Sequence, residues 1–399
     1  MRITFLLTQS LESPSGLGRY WPLSKELVRL GHEVTLLALH HNFQTLQQQE
    51  YVEGGVRVHY VGQMHVRKVG NQKLYFGPIQ LILVSTLATL RLTKAALLTP
   101  TDVYHICKPH PMNGLALLPP LLLGKPVYLD CDDYEAASNR FSGSWQRRIV
   151  AFFENSLPRI TAGVTVNTRF MAERLVQLGC QRDRIVYVPN GVDRTRFSAI
   201  KDVDIERARR RLGLEDRKVI VYVGSLSLAN HAVDLLLEAF ALVQRAEGRA
   251  ILILVGGGED YEKLQRQAQA LGLRRVLFLG RVPPDEVPLY YRLAEVSVDP
   301  VRGTLAEHGR YPLKVVESLA AGTPVITGDV GDRATILAHG GGLLIPPGDP
   351  VALSEAMIAL LRDEPLRDRL SAEALAIRER FYWDRLVHDF TRIYGYERA

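Results

Sequence analysis

At 399 residues the chain is longer than one hydrophobic core usually fills, so two domains near 200 residues each are expected. An apolar fraction of 47% with 23% charged residues excludes a disordered or collagen-like chain. The net charge of +6 sits entirely in the first half: residues 1–195 hold 21 Lys+Arg against 14 Asp+Glu, and residues 196–399 hold 28 against 29. Such an excess favours an anionic partner, whether nucleic acid, an acidic bilayer or a phosphate-bearing substrate.

The opening MRITFLLTQS has neither the apolar length nor the small-residue cleavage site of a signal peptide. It reads as a buried first strand, and the protein as cytoplasmic. In chain order, strand-like segments follow at 3–7, 33–37, 56–60, 103–107, 126–130, 163–166 and 185–188, with helical segments between most of them. Such alternation predicts a parallel, doubly wound sheet whose ligand crevice lies at the carboxyl ends of the strands. Cys107, Cys131 and Cys180 are unevenly spaced and lack a CxxC, which indicates neither a disulfide framework nor a zinc site.

After Val188-Pro-Asn-Gly-Val-Asp193 and a charged segment with a helix at 205–211, a second α/β set begins. Its strands are predicted at 219–223, 250–255, 276–279, 296–298, 324–327 and 342–345, and its helices at 231–245, 261–271, 285–293, 313–321 and 350–362. The boundaries expected are 1–195 for the first domain and 196–380 for the second. A closing helical segment, 381–399, is expected to pack back on the first domain.

Several stretches carry chemistry. In EHGRYPLKVVESLAAGTPVI, 307–326, Pro312 opens a helix and Gly322 ends it. Free N–H groups at such a helix start attract anions. Lys314 adds a full positive charge, and Glu317, on the neighbouring turn, offers acceptors for sugar hydroxyls. Phosphate and sugar together suggest a nucleotide sugar; a plain i,i+3 surface pair between Lys314 and Glu317 is the alternative. Ser15-Gly-Leu-Gly18 follows the first strand and precedes a helix expected over 19–30. A dinucleotide fingerprint wants a third glycine where Trp21 stands and an acid where the sequence reads LHHN, so NAD is disfavoured.

Taken as a set, Pro189-Asn-Gly-Val-Asp193, the Gly256-Gly-Gly258 turn, Phe278-Leu-Gly-Arg-Val282 and Lys314-Val-Val-Glu317-Ser-Leu-Ala-Ala-Gly-Thr-Pro-Val325 resemble the family 4 glycosyltransferases. The resemblance implies the GT-B fold: two doubly wound Rossmann-like domains facing a central cleft, the second binding a nucleoside-diphosphate sugar. It implies retaining transfer to a hydroxyl on a saccharide or lipid-linked acceptor, with no metal and no cofactor beyond the sugar donor. Gly16 and Gly18 would touch donor phosphate or acceptor, with a plain tight turn as the alternative. The donor would be held by Gly224, Ser225, Asn230, Arg281, Val282, Gly309, Tyr311, Leu313, Lys314 and Glu317, the last on the ribose and the 281–282 backbone on the base.

The chain also departs from the family's pattern. Ser225 and Asn230 stand where relatives carry an Arg and a Lys that grip the diphosphate, and Gly309 stands where the first Glu of an EX7E pair belongs. Lys314, with Arg310 or Arg302, would supply replacement charge, and Glu307 would shift into the vacated acid's role if the loop is rebuilt. His110 is the candidate, by position, for a histidine beside the transferred sugar; a surface or capping role is its alternative. Catalytic candidates are therefore His110, Glu307 and Lys314. On the acceptor side stand Lys108, Asp132 and Asp133, with pairing of Lys108 to Asp132, or a helix cap by Asp133, as structural alternatives.

The segment 67–94 mixes Arg67, Lys68, Lys73, Arg91 and Lys94 with the apolar run 78–90, and Trp145 to Phe153 has the same character. Two readings stand for it: a basic amphipathic surface that docks to an anionic bilayer at the inner face of the membrane, or a buried crossover helix with charged ends. The uncharged run 77–90 is too short to span a bilayer. No nucleic-acid motif accompanies the charge. Two further functions stay open: a GT-B epimerase or phosphorylase, and a binding protein that kept the fold without catalysis.

Overall fold

Strands buried on both faces need apolar residues at nearly every position. The first, β1 (Arg2–Leu7), sends Ile3, Phe5 and Leu7 to one side and Leu6 to the other. The computed structural model describes residues 1–13, 15–70, 72–139, 141 and 143–395. It divides into two units: Met1–Asn190 with Gly309–Tyr311 and Trp383–Ala399, and Gly191–His308 with Pro312–Tyr382.

In the first unit, β1 is followed by β2 (Glu33–His40), β3 (Glu50–Glu53), β4 (Val56–Gln63), β5 (Val66–Val69), β6 (Gln72–Tyr75), β7 (Val103–Cys107), β8 (Val127–Cys131), β9 (Gly163–Val166) and β10 (Ile185–Tyr187). The sheet order is β10-β9-β8-β7-β1-β2-β4-β3, parallel except for the antiparallel edge strand β3. The winding reverses between β1 and β7. Polar residues in 50–53 and 66–75 hide β3 and the β5–β6 hairpin from a pattern search, because neither strand is buried on both faces.

Helices Pro78–Leu98, Pro111–Ala116 and Ser144–Ile160 cover the face that Leu6 points to, through Ala88, Leu92, Ala96, Met112, Ala116 and Leu157. Helix Trp21–Arg29 and the C-terminal helix Trp383–Thr391 cover the other, through Leu23, Leu27, Trp383 and Leu386. A wide helical turn, Gly16–Tyr20, precedes Trp21, so the helix expected over 19–30 begins earlier. Of the closing segment, residues 396–399 lie outside the described residues.

Helix Pro78–Leu98 corrects two expectations. It runs through Arg91 and Lys94 for 21 residues, long and apolar enough by length and composition to cross a membrane. It is also not a buried crossover helix, because Ala88, Leu92 and Ala96 are its buried residues while Ile79, Leu83 and Leu90 are more than 60% exposed.

The second unit contains β11 (Lys218–Val223), β12 (Ala250–Val255), β13 (Val276–Gly280), β14 (Val296–Asp299), β15 (Val325–Gly328) and β16 (Gly342–Ile345). All are parallel, in the order β13-β12-β11-β14-β15-β16. This is the doubly wound order, with its switch point between β11 and β14. Helices Val233–Ala246 and Pro350–Arg362 pack on one face, and Val287–Arg292 with Asp202–Leu212 on the other. Two such Rossmann-like units make up the GT-B fold that the resemblance implies.

Candidate functional site

In an open α/β sheet, ligands bind beyond the carboxyl ends of the strands at the switch point, here the loops after β11 and β14. The loop after β11 starts at Gly224 and meets the glycine turn after β12. A Cβ on Gly256, whose φ is +140°, would lie 1.9 Å from the Gly224 carbonyl oxygen, so the two loops approach as closely as backbone allows. A Cβ on Gly224 would lie 2.4 Å from Lys314 Cε. The Lys314 stem therefore runs directly beneath the loop.

Lys314 belongs to helix Leu313–Ala321, which Pro312 caps and Gly322 ends in a left-handed conformation. Pro312 is thus the cap and Leu313 the first helical residue. The Lys314 ammonium lies 3.6 Å from Asp299 Oδ1, 3.2 Å from His231 Nδ1 and 5.5 Å from the centre of the Tyr222 ring. The Tyr222 hydroxyl donates to the Ser225 carbonyl at 2.8 Å and so fixes the loop above the amine. Asn230 donates its N–H to the Ser227 carbonyl, which makes a local turn.

Asp299 ends β14 and is buried. Arg333 Nη2 and Nε both reach its Oδ2 at 2.9 Å. Burial opposes the charge on Asp299, but Arg333 and then Lys314, with hydrogen bonds from Arg333 and Thr327, outweigh it and hold the carboxyl below its ordinary range. An Arg–Asp–Lys chain therefore anchors the amine. One turn along the same helix, Glu317 accepts from the Tyr291 hydroxyl at 3.2 Å. Burial pushes the Glu317 carboxyl up, partly offset by Arg196, Tyr291 and Lys314.

Glu307 corrects an expectation. Its carboxylate turns inward and accepts from the N–H of Arg302, the N–H of Thr304 and the Thr304 hydroxyl, at 2.8–3.1 Å. These donors clamp the carboxylate onto its own loop, most of them on Oε2. Arg302 itself pairs with Asp234 at 2.7 Å. Arg281 and Val282 follow β13, the first exposed and the second half-buried.

In the first unit, a Cβ on Gly309 would stand 2.6 Å from Tyr134 Cβ, which leaves no room there for a glutamate side chain. Tyr311 is buried, and Arg310 Nε lies 3.7 Å from Asp133. Lys108, after β7, takes the left-handed conformation at φ +76° that non-glycine residues rarely adopt. Its buried amine meets Asp132 at 2.9 Å, Asp133 at 3.0 Å and Glu135 at 2.6 Å. Lys108 thus pairs with Asp132 within a three-carboxylate cluster. Burial, with Asp133, Asp130 and Glu135 nearby, pushes the Asp132 carboxyl up to about 7 despite Lys108. The cap by Asp133 is not formed: Tyr134 occupies the cap position of helix Glu135–Ser138 without a side-chain bond, and the Glu154 carboxylate receives the Glu135 N–H.

His110 caps helix Pro111–Ala116 by its backbone, and its ring lies 5.7 Å from that of His65. Burial and Lys108 depress it to about 4, so it is neutral at pH 7. Gly16 donates its N–H to Ser13 Oγ, and the Gly18 carbonyl accepts from Trp383 Nε1, both at 3.2 Å. Next to them, the buried Arg19 makes a two-pronged pair with Asp130 at 2.6 and 2.7 Å.

Asp299, Arg333, Tyr222 and His231 were missed by reading the sequence. The usable signals were an acid closing a β-branched strand, Val-Ser-Val-Asp299, and a histidine one place beyond Asn230, where a cation was sought.

A family profile described as Glycosyl transferases group 1 matches residues 204–376, and one described as Glycosyl transferase 4-like domain matches residues 15–191. The D-inositol 3-phosphate glycosyltransferase of Nocardia farcinica is 35% identical over 231 residues, 55% of this chain and 49% of that protein. The phosphatidyl-myo-inositol mannosyltransferase of Mycobacterium leprae is 30% identical over 210 residues, 52% of this chain and 53% of its own. The chain thus spans about half the length of the curated relatives it matches. Among solved structures, Anabaena HepE in complex with UDP and glucose superposes with a TM-score of 0.72 at 21% identity, covering 98% of each chain.

Proposed function

The chain belongs to the family 4 glycosyltransferases, and from that premise we propose that it moves a sugar from a nucleoside-diphosphate donor to a hydroxyl on a saccharide or lipid-linked acceptor, with retention of configuration. The observation that carries this reading is the Lys314 ammonium, anchored by Asp299 and His231 beneath the Gly224 loop at the switch point of the second sheet. In this reading Lys314 and the first N–H groups of its helix receive the leaving diphosphate, where fixed donors stabilise the charge that develops as the glycosidic bond breaks. Charge-assisted bonds of this kind are roughly twice as strong as neutral ones, and one well-placed cation offsets part of what Ser225 and Asn230 lack.

Glu317, one turn on, accepts the ribose hydroxyls, and the backbone at Arg281 and Val282 receives the base. His110, neutral at pH 7, is suited to accept a hydrogen bond near the transferred sugar and ill-suited to donate charge. The names of the relatives, an inositol phosphate glycosyltransferase and a phosphatidyl-inositol mannosyltransferase, support acceptors of the phosphorylated polyol or lipid-linked kind. A cytoplasmic enzyme of cell-envelope polysaccharide synthesis, working at the inner face of the membrane, fits both. No cofactor or nucleic acid enters the scheme. The Lys108 ammonium sits among the carboxylates of Asp132, Asp133 and Glu135, and the scheme routes no step through a metal.

The test is acceptor-dependent diphosphate release from a panel of UDP- and GDP-sugars, comparing the wild type with Lys314→Ala and Glu317→Ala. Turnover that both variants retain in full would overturn the assignment. A second reading, a binding protein without catalysis, is favoured by Ser225, Asn230 and Gly309. It predicts no turnover on any donor and no nucleotide-diphosphate binding by calorimetry.

A further inference from the structure

We propose that the outer side of three helices in the first unit, Pro78–Leu98, Leu118–Leu122 and Ser144–Ile160, is a docking surface for an anionic lipid bilayer. It rests on the reading above for its purpose, since a lipid-linked acceptor must be met at a membrane. Its physical evidence lies in the first unit alone.

On helix Pro78–Leu98, Ile79, Ile82, Leu83, Leu87, Leu90 and Leu97 are all exposed, opposite the buried Ala88, Leu92 and Ala96. Their three-, four- and seven-residue spacing puts them on one stripe. The neighbouring helix adds Leu118 and Leu122, the latter 87% exposed, and helix Ser144–Ile160 adds Trp145, Ile149 and Phe152. Both helices belong to the same layer: Pro111–Ala116, which leads into Leu118–Leu122, packs against Pro78–Leu98 and against Ser144–Ile160. Soluble surfaces rarely expose apolar residues so contiguously without an interaction partner.

The charge around the patch identifies the partner. Between Gly54 and Leu129 the chain carries one acid, Asp102, and eight Lys or Arg. Arg91, Lys94, Lys125, Arg147 and Arg148 are exposed. Lys94 lies within the apolar stripe itself, where its long stem can follow the apolar surface while the amine reaches lipid headgroups. Among the described residues, every exposed charge on these three helices is basic, Glu154 being buried, and an apolar stripe with basic residues beside it matches the boundary of an anionic bilayer.

The helix lies on such a bilayer and does not cross it. Its inner side is packed on the sheet through Ala88, Leu92 and Ala96, and both its ends connect into the same unit, from the β5–β6 hairpin to β7.

The experiment uses the full chain and sedimentation with phosphatidylcholine vesicles, with and without phosphatidylglycerol. The wild type should sediment with the anionic vesicles and be released by salt. The triple variant Ile82→Gln, Leu83→Gln, Leu90→Gln should keep its circular dichroism and melting temperature, because all three side chains are exposed, yet partition about a hundredfold more weakly. Lys94→Glu with Arg148→Glu should lose the preference for anionic over neutral vesicles. Equal binding by the triple variant, or no binding by the wild type to either vesicle, would overturn the proposal. A concentration-dependent dimer that the triple variant converts to monomer would also overturn it, by assigning the face to a second copy of the chain. Lys314→Ala should bind vesicles as the wild type does, so failure of the donor-site reading and failure of the membrane reading are separately visible.

Discussion

Asp130→Asn should be among the most damaging single-atom changes in the first unit. Asp130 is 0% and Arg19 1% exposed, and the two are joined at 2.6 and 2.7 Å. Asp130 also accepts from the Tyr20 hydroxyl at 2.9 Å and the Thr165 hydroxyl at 2.5 Å, and Arg19 donates further to the Val188 carbonyl at 3.0 Å. Replacing one carboxylate oxygen by an amide leaves the guanidinium charged and buried without its counter-charge. Breaking a buried pair in this way costs about 3–5 kcal/mol, which for a unit of this size corresponds to a fall of about 10 °C in melting temperature. Replacing both partners, as in Arg19→Met with Asp130→Leu, should cost less than the single change, because no charge is then left unpaired.

The sign with pH can be worked out as well. Burial opposes ionisation of Asp130, but Arg19 and the hydrogen bonds it receives hold its carboxyl below the usual range. Its contribution is therefore present above the unfolded value near 3.8 and lost as pH falls through the folded value. Urea titrations followed by circular dichroism between acid and neutral pH measure both effects. A loss below about 1 kcal/mol at pH 7, or a double variant weaker than the single one, would refute the reasoning.

Other outcomes follow from the same geometry. Gly256→Ala forces a methyl to within 1.9 Å of the Gly224 oxygen; overpacking of this sort costs about 1–3 kcal/mol, so melting temperature and nucleotide affinity should fall together. Arg333→Met should weaken nucleotide binding without touching it, because Asp299 loses the partner that orients it toward Lys314; calorimetry at several ionic strengths checks this. Glu307→Ala frees the N–H groups of Arg302 and Thr304 and should lower thermal stability by about 1–3 kcal/mol, with a smaller effect on turnover than Lys314→Ala. Asp132, pushed up to about 7, favours the folded state fully below pH 4 and loses that contribution as pH rises through 7. Asp132→Asn should flatten stability between those limits, as read by melting temperature against pH.

The sheets were legible in the sequence because strands covered on both faces leave long apolar runs. All six strands of the second unit and seven of the first follow from them, as does helix Leu313–Ala321 between Pro312 and Gly322. β3 and the β5–β6 hairpin were not, since they lie outside the doubly covered core. Lys314 and Glu317 were readable from one helix. Their anchors were not, because Asp299 and Arg333 are 34 positions apart and meet only when β14 and the segment after β15 lie side by side. Glu307 shows the converse: its position suggested a displaced acid, while three local donors turn it inward. Helix Pro78–Leu98 could not be ranked by sequence between buried and exposed, since a helix apolar all round gives the same pattern in either case.

Titration calorimetry of UDP and GDP against the full chain, compared with Lys314→Ala, tests the donor site most directly. The account predicts one nucleotide bound per chain, with affinity falling at least about tenfold in the variant as a charge-assisted bond to phosphate is lost. Binding that Lys314→Ala leaves unchanged, or no binding of either nucleotide by the wild type, would contradict it.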